Sequence, residues 1–485
     1  MTARLFILIC LTLLASACGA RDDDRVAIAI IDSGSDPFAA DAIGPAAMEW
    51  RAATREGLVA FDAYGRIVPA LAERWIVTDD GASYIFRLRD GAWPDGSRID
   101  AQGARRALSA AIRAQRGTAL GADLGRISEV RAMAGRVLEI RLTHPTPDLL
   151  ALLARPELGL VRKGEGAGPM RGTAEGKRAE LSPLPPEARG LPTEEGWNKQ
   201  ARDLELQALP AKRAIEAFAD GKVRIVLGGT IADILLTDRG LSRGALRIDD
   251  VEGLFGLAFT HRDGFMASAE NRAALAMAVD RDALMEPFGI GNWQVRLGML
   301  PGEGPSGRLL PVAEWRDLSL EQRRALAAQR VARWRASGER VAALRIALPR
   351  GEGGAALFAA LSNDFSAIGL ESERIAPGDD ADLVLVDRVA SADSAEWYLN
   401  RFRCGIARRL CIEEIDDLLA EARSADPRAV RSVLIDEAAA LVEAQQIFIS
   451  FGQPVRWSLV AAGLEGFQNN AFGVHPLMEI AMRAR

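Results

Sequence analysis

The side chains that could carry covalent or catalytic chemistry are few and scattered. The chain of 485 residues holds three histidines, His144, His261 and His475, none near another in sequence. Its four cysteines are Cys10, Cys18, Cys404 and Cys411. A hydrolytic triad needs a base within reach of its nucleophile, and a zinc peptidase needs two histidines on one helix face. No G-x-S-x-G and no H-E-x-x-H occurs. Asp280 is an acid at a helix boundary, where capping is the ordinary use of an aspartate. Gly351-Glu352-Gly353-Gly354 precedes an apolar helix and the acids Glu371 and Glu373, but its spacing is not that of a dinucleotide cradle. What remains is non-covalent binding: no enzyme, no cofactor and no metal site is expected.

The cysteines carry a different message. Arg4 precedes an apolar run, Leu5 to Leu14, too short to span a bilayer permanently, which reads as an export signal. Ala15-Ser16-Ala17-Cys18 resembles the bacterial lipobox, which implies a lipoprotein signal peptide over 1–18 and a diacylated Cys18. Residues 19–25 are then a charged tether, and the body is periplasmic, held to a membrane by its lipidated N-terminal Cys. No later run is long and apolar enough to span. Cys404 and Cys411 are the pair left in the mature body. In an oxidising compartment they fit a disulfide, with two free thiols or a metal site as alternatives. A formal net charge of −6 on a chain this long favours neither nucleic acid nor an acidic membrane surface as partner. A monomer is expected.

The elements that must position a binding site are clearest over residues 56–108. Ser83 to Leu88 alternates Tyr84, Phe86 and Leu88 with Ile85 and Arg87, the pattern of a half-buried strand. Asp90-Gly91 and Asp95-Gly96 are turn chemistry, and Pro69-Ala70-Leu71-Ala72 reads as a helical turn ending at Trp75. Ala101 to Arg113 reads as an amphipathic helix. The run Glu56-Gly57-Leu58, Gly65, Pro69, Leu71-Ala72-Glu73, Trp75, then Tyr84-Ile85-Phe86-Arg87-Leu88-Arg89-Asp90-Gly91 and Trp93-Pro94-Asp95-Gly96 resembles the signature of the family 5 extracellular solute-binding proteins. These are the peptide- and nickel-binding receptors of ABC importers.

Further along, Asn271 to Leu284 resembles that family's "V-R-x-A-L-x-x-A-I-D-R-x-A-L" helix. Leu204–Leu209, Ala211–Ala219 and Val223–Leu227 read as a β-α-β unit with parallel strands. Residues 172–200, rich in Pro, Gly and charge, read as a surface loop. The resemblance implies an α/β chain with a two-lobed periplasmic-binding-protein type II-like fold, an additional small domain and a ligand cleft between the lobes. It assigns 26–45, 145–240 and 450–485 to lobe I, 46–144 to the small domain attached to lobe I, and 241–449 to lobe II.

Peptide-binding members carry a "W-x-x-D-Y-x-D-P" motif after the strand at Asp382 to Val386, whose Asp meets the ligand's ammonium group. Here Arg388 falls at the Trp and Ser391 at the Asp, with Asp393 and Trp397 following. Arg388 suits an anionic group instead. The residues the resemblance assigns to the ligand are Arg388, Ser391, Asp393 and Trp397, with Glu56 and Leu58 facing them. It implies capture of a peptide or peptide-like solute and delivery to ABC permease subunits. The altered loop leaves open a transport-incompetent envelope lipoprotein of the same fold, with a structural or sensory role.

Overall fold

The computed structural model describes residues 25–238, 244–300, 304–310, 312–339, 342–392, 394–406 and 409–483. Cys18 and Asp393 fall outside the described residues, as do the signal peptide and nearly all of the tether.

One sheet runs, edge to edge, Met170–Glu175, Arg178–Pro183, Asp203–Leu209, Arg25–Ile31, Ile225–Thr230, Arg456–Val460 and Leu246–Asp249. Its centre is parallel, with Ile28 opposite both Leu206 and Ile225. The helix Ala211–Ala219 makes the crossover, and the first strand lies between the two strands it connects. Ile28 and Ile30 enter one core with Leu204 and Leu227, while Ala29 and Val226 enter another on the opposite face. Burial on both faces is why this strand is a continuous apolar run.

A second sheet runs Ser372–Ile375, Leu344–Ala347, Leu383–Val389, Gly253–Phe259 and Phe448–Gly452. Every residue of Gly253–Phe259 is buried. The helices Ala269–Ala278, Leu320–Ala336, Glu352–Ala367, Glu413–Ser424 and Arg428–Gln445 contribute to its core. Asp280 accepts a hydrogen bond from Ala283 N at the start of Arg281–Met285, the capping role its position suggests.

The third unit is an antiparallel sheet of Ala72–Val77, Ser83–Leu88, Val137–Leu142 and Ile127–Ala132, covered by the helix Ala101–Ala114. Tyr84, Phe86 and Leu88 face its core, as the alternation requires.

The structure redraws several elements. Leu246–Asp249, inside the range expected for lobe II, pairs in the seven-stranded sheet, whereas Phe448–Gly452 belongs wholly to the five-stranded one. Ala46 and Ala53 of helix Pro45–Thr54 pack on the seven-stranded lobe, and Leu149 to Leu160 pack in the small domain. Pro69 to Ala72 is no helical turn. Leu71 N and Ala72 N donate to Gly57 O and Leu58 O, so tertiary bonds claim this backbone. Residues 172–200 hold most of a β-hairpin, Met170–Glu175 with Arg178–Pro183, rather than a loop throughout. In the strand Arg178–Pro183 only Ala179 and Leu181 are buried, which left its sequence too polar to read as a strand. Gly168 is required by close approach: a Cβ there would sit 2.2 Å from the carbonyl carbon of Thr54.

Candidate functional site

The two larger lobes are joined by two short crossings, 250–252 and 453–455. The crossings brace one another: Gln453 Nε2 donates to Glu252 Oε1 at 2.8 Å, and Trp293 Nε1 donates to Gln453 O at 2.9 Å. At their edge Arg456 of the seven-stranded sheet pairs with Asp387 of the five-stranded sheet at 2.7 Å. Two short adjacent crossings between two sheets have the form of a hinge.

Between the lobes lies a cavity of about 400 Å³. Thr230 lines it from the seven-stranded lobe, and Pro349, Leu385, Asp387, Arg388 and Arg409 from the five-stranded lobe. The Asp387 carboxylate is occupied by Arg456. Arg388 is exposed and has no ion pair among the described residues. Arg409 donates to the Arg401 carbonyl at 3.3 Å and lies 5.8 Å from the Phe402 ring centroid, with no acidic partner among the described residues. Burial, then the charges of Arg388 and Arg401, push its pKa down to about 10, so it stays protonated at neutral pH. A disulfide between Cys404 and Cys411 closes the segment that carries Arg409. Two uncompensated guanidinium groups facing one cavity suit a carboxylate or phosphate, which they can hold through several charge-assisted hydrogen bonds.

The other residues assigned from sequence are placed differently. Leu58 is 1% exposed in the small-domain core, so its side chain is committed to packing. Glu56 is buried against Arg89 and also accepts from Arg189 at 3.2 Å, a structural ion triad that leaves it nothing to offer a solute. Trp397 is 3% exposed, with the Arg401 guanidinium 3.9 Å from its ring centroid, so it supports Arg401 from within. Ser391 is 4% exposed, and its Oγ has no hydrogen-bond partner among the described residues. Of the assigned residues that are described, only Arg388 lines the interlobe cavity.

Sequence reasoning missed Arg409 and the contacts that tie the small domain to the five-stranded lobe. Asp123, at the end of helix Ala119–Asp123, accepts from both terminal nitrogens of Arg401 at 2.8 Å and from Asn400 Nδ2 at 2.9 Å. Arg126 pairs with Glu396 at 2.5 Å. No local signal marks partners nearly 280 positions apart; an acid at a helix C-terminus, against the helix dipole, is the one oddity Asp123 displays. Among the described residues no group of three His, Cys, Asp or Glu side chains could hold a metal ion.

Comparison with known proteins agrees with this architecture. The model of the family "Bacterial extracellular solute-binding proteins, family 5 Middle" matches residues 66–180. Haemophilus influenzae OppA, solved in complex with RPPGFSPFR, superposes with a TM-score of 0.78 at 14% identity, over 96% of this chain and 99% of that one. The Escherichia coli murein tripeptide binding protein MppA gives 0.76 at 18% identity, over 94% and 98%. At these identities the likeness is one of fold. Among curated sequences, Escherichia coli (strain K12) "Probable deoxycholate-binding periplasmic protein YgiS" is 35% identical over 121 residues, 21% of this chain and 23% of that protein. The chain thus aligns with under a quarter of that curated relative's length.

Proposed function

We propose that this chain, a family 5 extracellular solute-binding protein by its signature and fold, is the extracytoplasmic receptor of an ABC importer. It captures a peptide or peptide-like solute between its two large lobes and hands it unchanged to the membrane permease. The observation that carries this reading is a cavity lined from both lobes beside two short adjacent crossings. Closure around such a cavity buries the solute without chemistry. Arg388 and Arg409 give the cavity a positive wall, so the solute presents a carboxylate or phosphate there rather than its ammonium group. Ser391, standing where the family's ammonium-binding Asp is expected, offers no counter-charge.

The body is periplasmic and is anchored through a lipid on Cys18. No helix among the described residues is long and apolar enough to cross a membrane. Replacing Cys18 by Ala should move the protein from the membrane to the soluble envelope fraction.

Mass spectrometry of small molecules released on denaturing the purified protein tests the central reading. An anionic peptide-like solute, released in stoichiometric amount and rebinding with loss on Arg388→Ala, is the expected result. A transport-incompetent envelope role predicts no released molecule and no thermal shift with any anionic peptide.

A further inference from the structure

A second cavity, of about 360 Å³, lies where the small domain meets the five-stranded lobe, and it shares no lining residue with the interlobe cavity. Arg126 and His144 line it from the small-domain side, and Glu396, Arg428 and Arg431 from the other. The helix Arg428–Gln445 begins here with 18 residues of aligned peptide dipoles behind it. Its cap residue, Pro427, makes no side-chain hydrogen bond, and no acid occupies the first turn. Arg428 and Arg431 stand there instead, adding two positive charges to the positive end of the dipole. That arrangement favours an anion in front of it; Asp426, just before the cap, and Glu396 act on Arg431 through their charges without forming an ion pair with it among the described residues.

Burial sharpens the point. Arg431 is 7% exposed, lines the cavity, and makes no hydrogen bond or ion pair among the described residues. No Arg431 nitrogen is among the fully buried unpartnered atoms, so its donors open onto the cavity, where no protein acceptor among the described residues meets them. Of the two carboxylates in the lining, Glu396 is taken by Arg126, and Asp148 is not free either. His144 is 6% exposed, and its Nδ1 lies 3.3 Å from Pro145 O, an atom that can only accept. The ring proton therefore sits on Nδ1, leaving Nε2 as a buried acceptor with no partner among the described residues. Burial and the charges of Arg431 and Arg126 hold His144 below its ordinary pKa, in keeping with a neutral ring. Pro145, Pro147, Leu300 and Ile435 supply apolar wall. The volume lies within the range of small-molecule pockets.

We propose that this cavity is a second binding site, for a small organic anion that also carries a hydroxyl, such as a phosphate monoester. Arg431 and Arg428 hold the anionic group at the helix N-terminus, and His144 Nε2 accepts from the hydroxyl. Because the two walls belong to the small domain and the five-stranded lobe, occupation ties these bodies together and favours the closed arrangement.

The test is calorimetric titration of the full chain with glycerol phosphate, inorganic phosphate and acetate. Glycerol phosphate is expected to bind most tightly and acetate least. Arg431→Met should weaken glycerol phosphate at least about tenfold, the loss of one charge-assisted contact. Arg428→Gln, an exposed change that leaves the fold intact, should weaken it a few-fold. Arg333→Gln, exposed on another helix, should match the wild type and control for net charge. Equal binding by wild type and Arg428→Gln, or no binding of any probe, overturns the proposal. Tighter binding of inorganic phosphate than of the monoester overturns the organic part of it and assigns the site to the free ion.

Discussion

Asp123→Ala should open the molecule without unfolding it. Asp123 is 4% exposed and receives two hydrogen bonds from Arg401 and one from Asn400, all from the opposite lobe. Breaking one partner of a buried pair typically costs about 3–5 kcal/mol, because the surviving charge is left uncompensated. Arg401 keeps its donation to Trp397 O at 2.7 Å and its place over the Trp397 ring, and its side chain is 11% exposed. Those residual contacts reduce the expected cost to about 2–3 kcal/mol. Separation of the small domain from the five-stranded lobe would return Arg401 to water, so the cost falls on the closed state alone. A loss of that size corresponds to roughly 30–150-fold in the closing equilibrium, and at most the same factor in solute affinity. Small-angle scattering should show a larger radius of gyration for the variant, and titration with the released solute a weaker Kd, while the melting temperature changes little. Asp123→Leu with Arg401→Met should recover most of the compactness, since an apolar pair of similar volume replaces the ions. A large fall in melting temperature at unchanged radius and affinity would refute the reasoning, because the pair would then be holding up the fold.

Other substitutions separate solute recognition from structure. Arg388→Ala and Arg409→Ala should each weaken an anionic solute roughly tenfold with little effect on thermal stability, as read by titration and melting. Glu56→Ala should do the reverse, costing about 3–5 kcal/mol in denaturant melts by stranding buried Arg89 and Arg189. Burial raises the Glu49 carboxyl from 4.5 to about 7, with His475 partly opposing. Its folded pKa therefore exceeds the unfolded one, and stability is full below about pH 4.5 and declines as pH rises through 7. The difference of about 2.5 is worth at most about 3 kcal/mol, and partial solvent contact of the side chain lowers that to about 1–2 kcal/mol. Urea melts at pH 5 and pH 8 should show that decline in the wild type and a flatter response in Glu49→Gln.

The parts of this architecture that could be read in advance are those where local pattern and tertiary role coincide. Tyr84, Phe86 and Leu88 alternate because one face of their strand is buried, and Asp280 caps because aspartate at a helix start has a cheap local use. The parts that could not be read depend on distant partners. Leu246–Asp249 is a strand because Arg456–Val460 lies beside it, and the alternation of Leu246 and Ile248 with Arg247 and Asp249 is too short to identify a strand by itself. Trp397 shows why aromatic type alone misleads: an indole in a cleft and an indole under an arginine look the same in sequence. Glu56 is similar, since the two arginines that neutralise it are 33 and 133 positions away. Arg409 carried no signal at all until the segment that bears it was placed in the cleft.

The charges of the molecule then sort by what they meet. Glu56 with Arg89 and Arg189 is internal to the frame formed by the seven-stranded lobe and the small domain. Asp123 with Arg401, Arg126 with Glu396, and Asp387 with Arg456 each join different bodies, so under the proposed closure their energy depends on it. Arg388, Arg409, Arg428 and Arg431 have no acidic partner among the described residues, and all four line cavities. The chain as a whole carries a net charge of −6, so these positive walls are local features set against a negative body. Low-dielectric walls of one sign focus the field into the cavity and raise the local concentration of ligands of the opposite sign. Closure strengthens that attraction further by removing water. The interlobe cavity beside Arg388 and Arg409 therefore favours an anion, and a cationic peptide with no acidic group should bind there more weakly than its acidic counterpart at every ionic strength, most clearly at low salt.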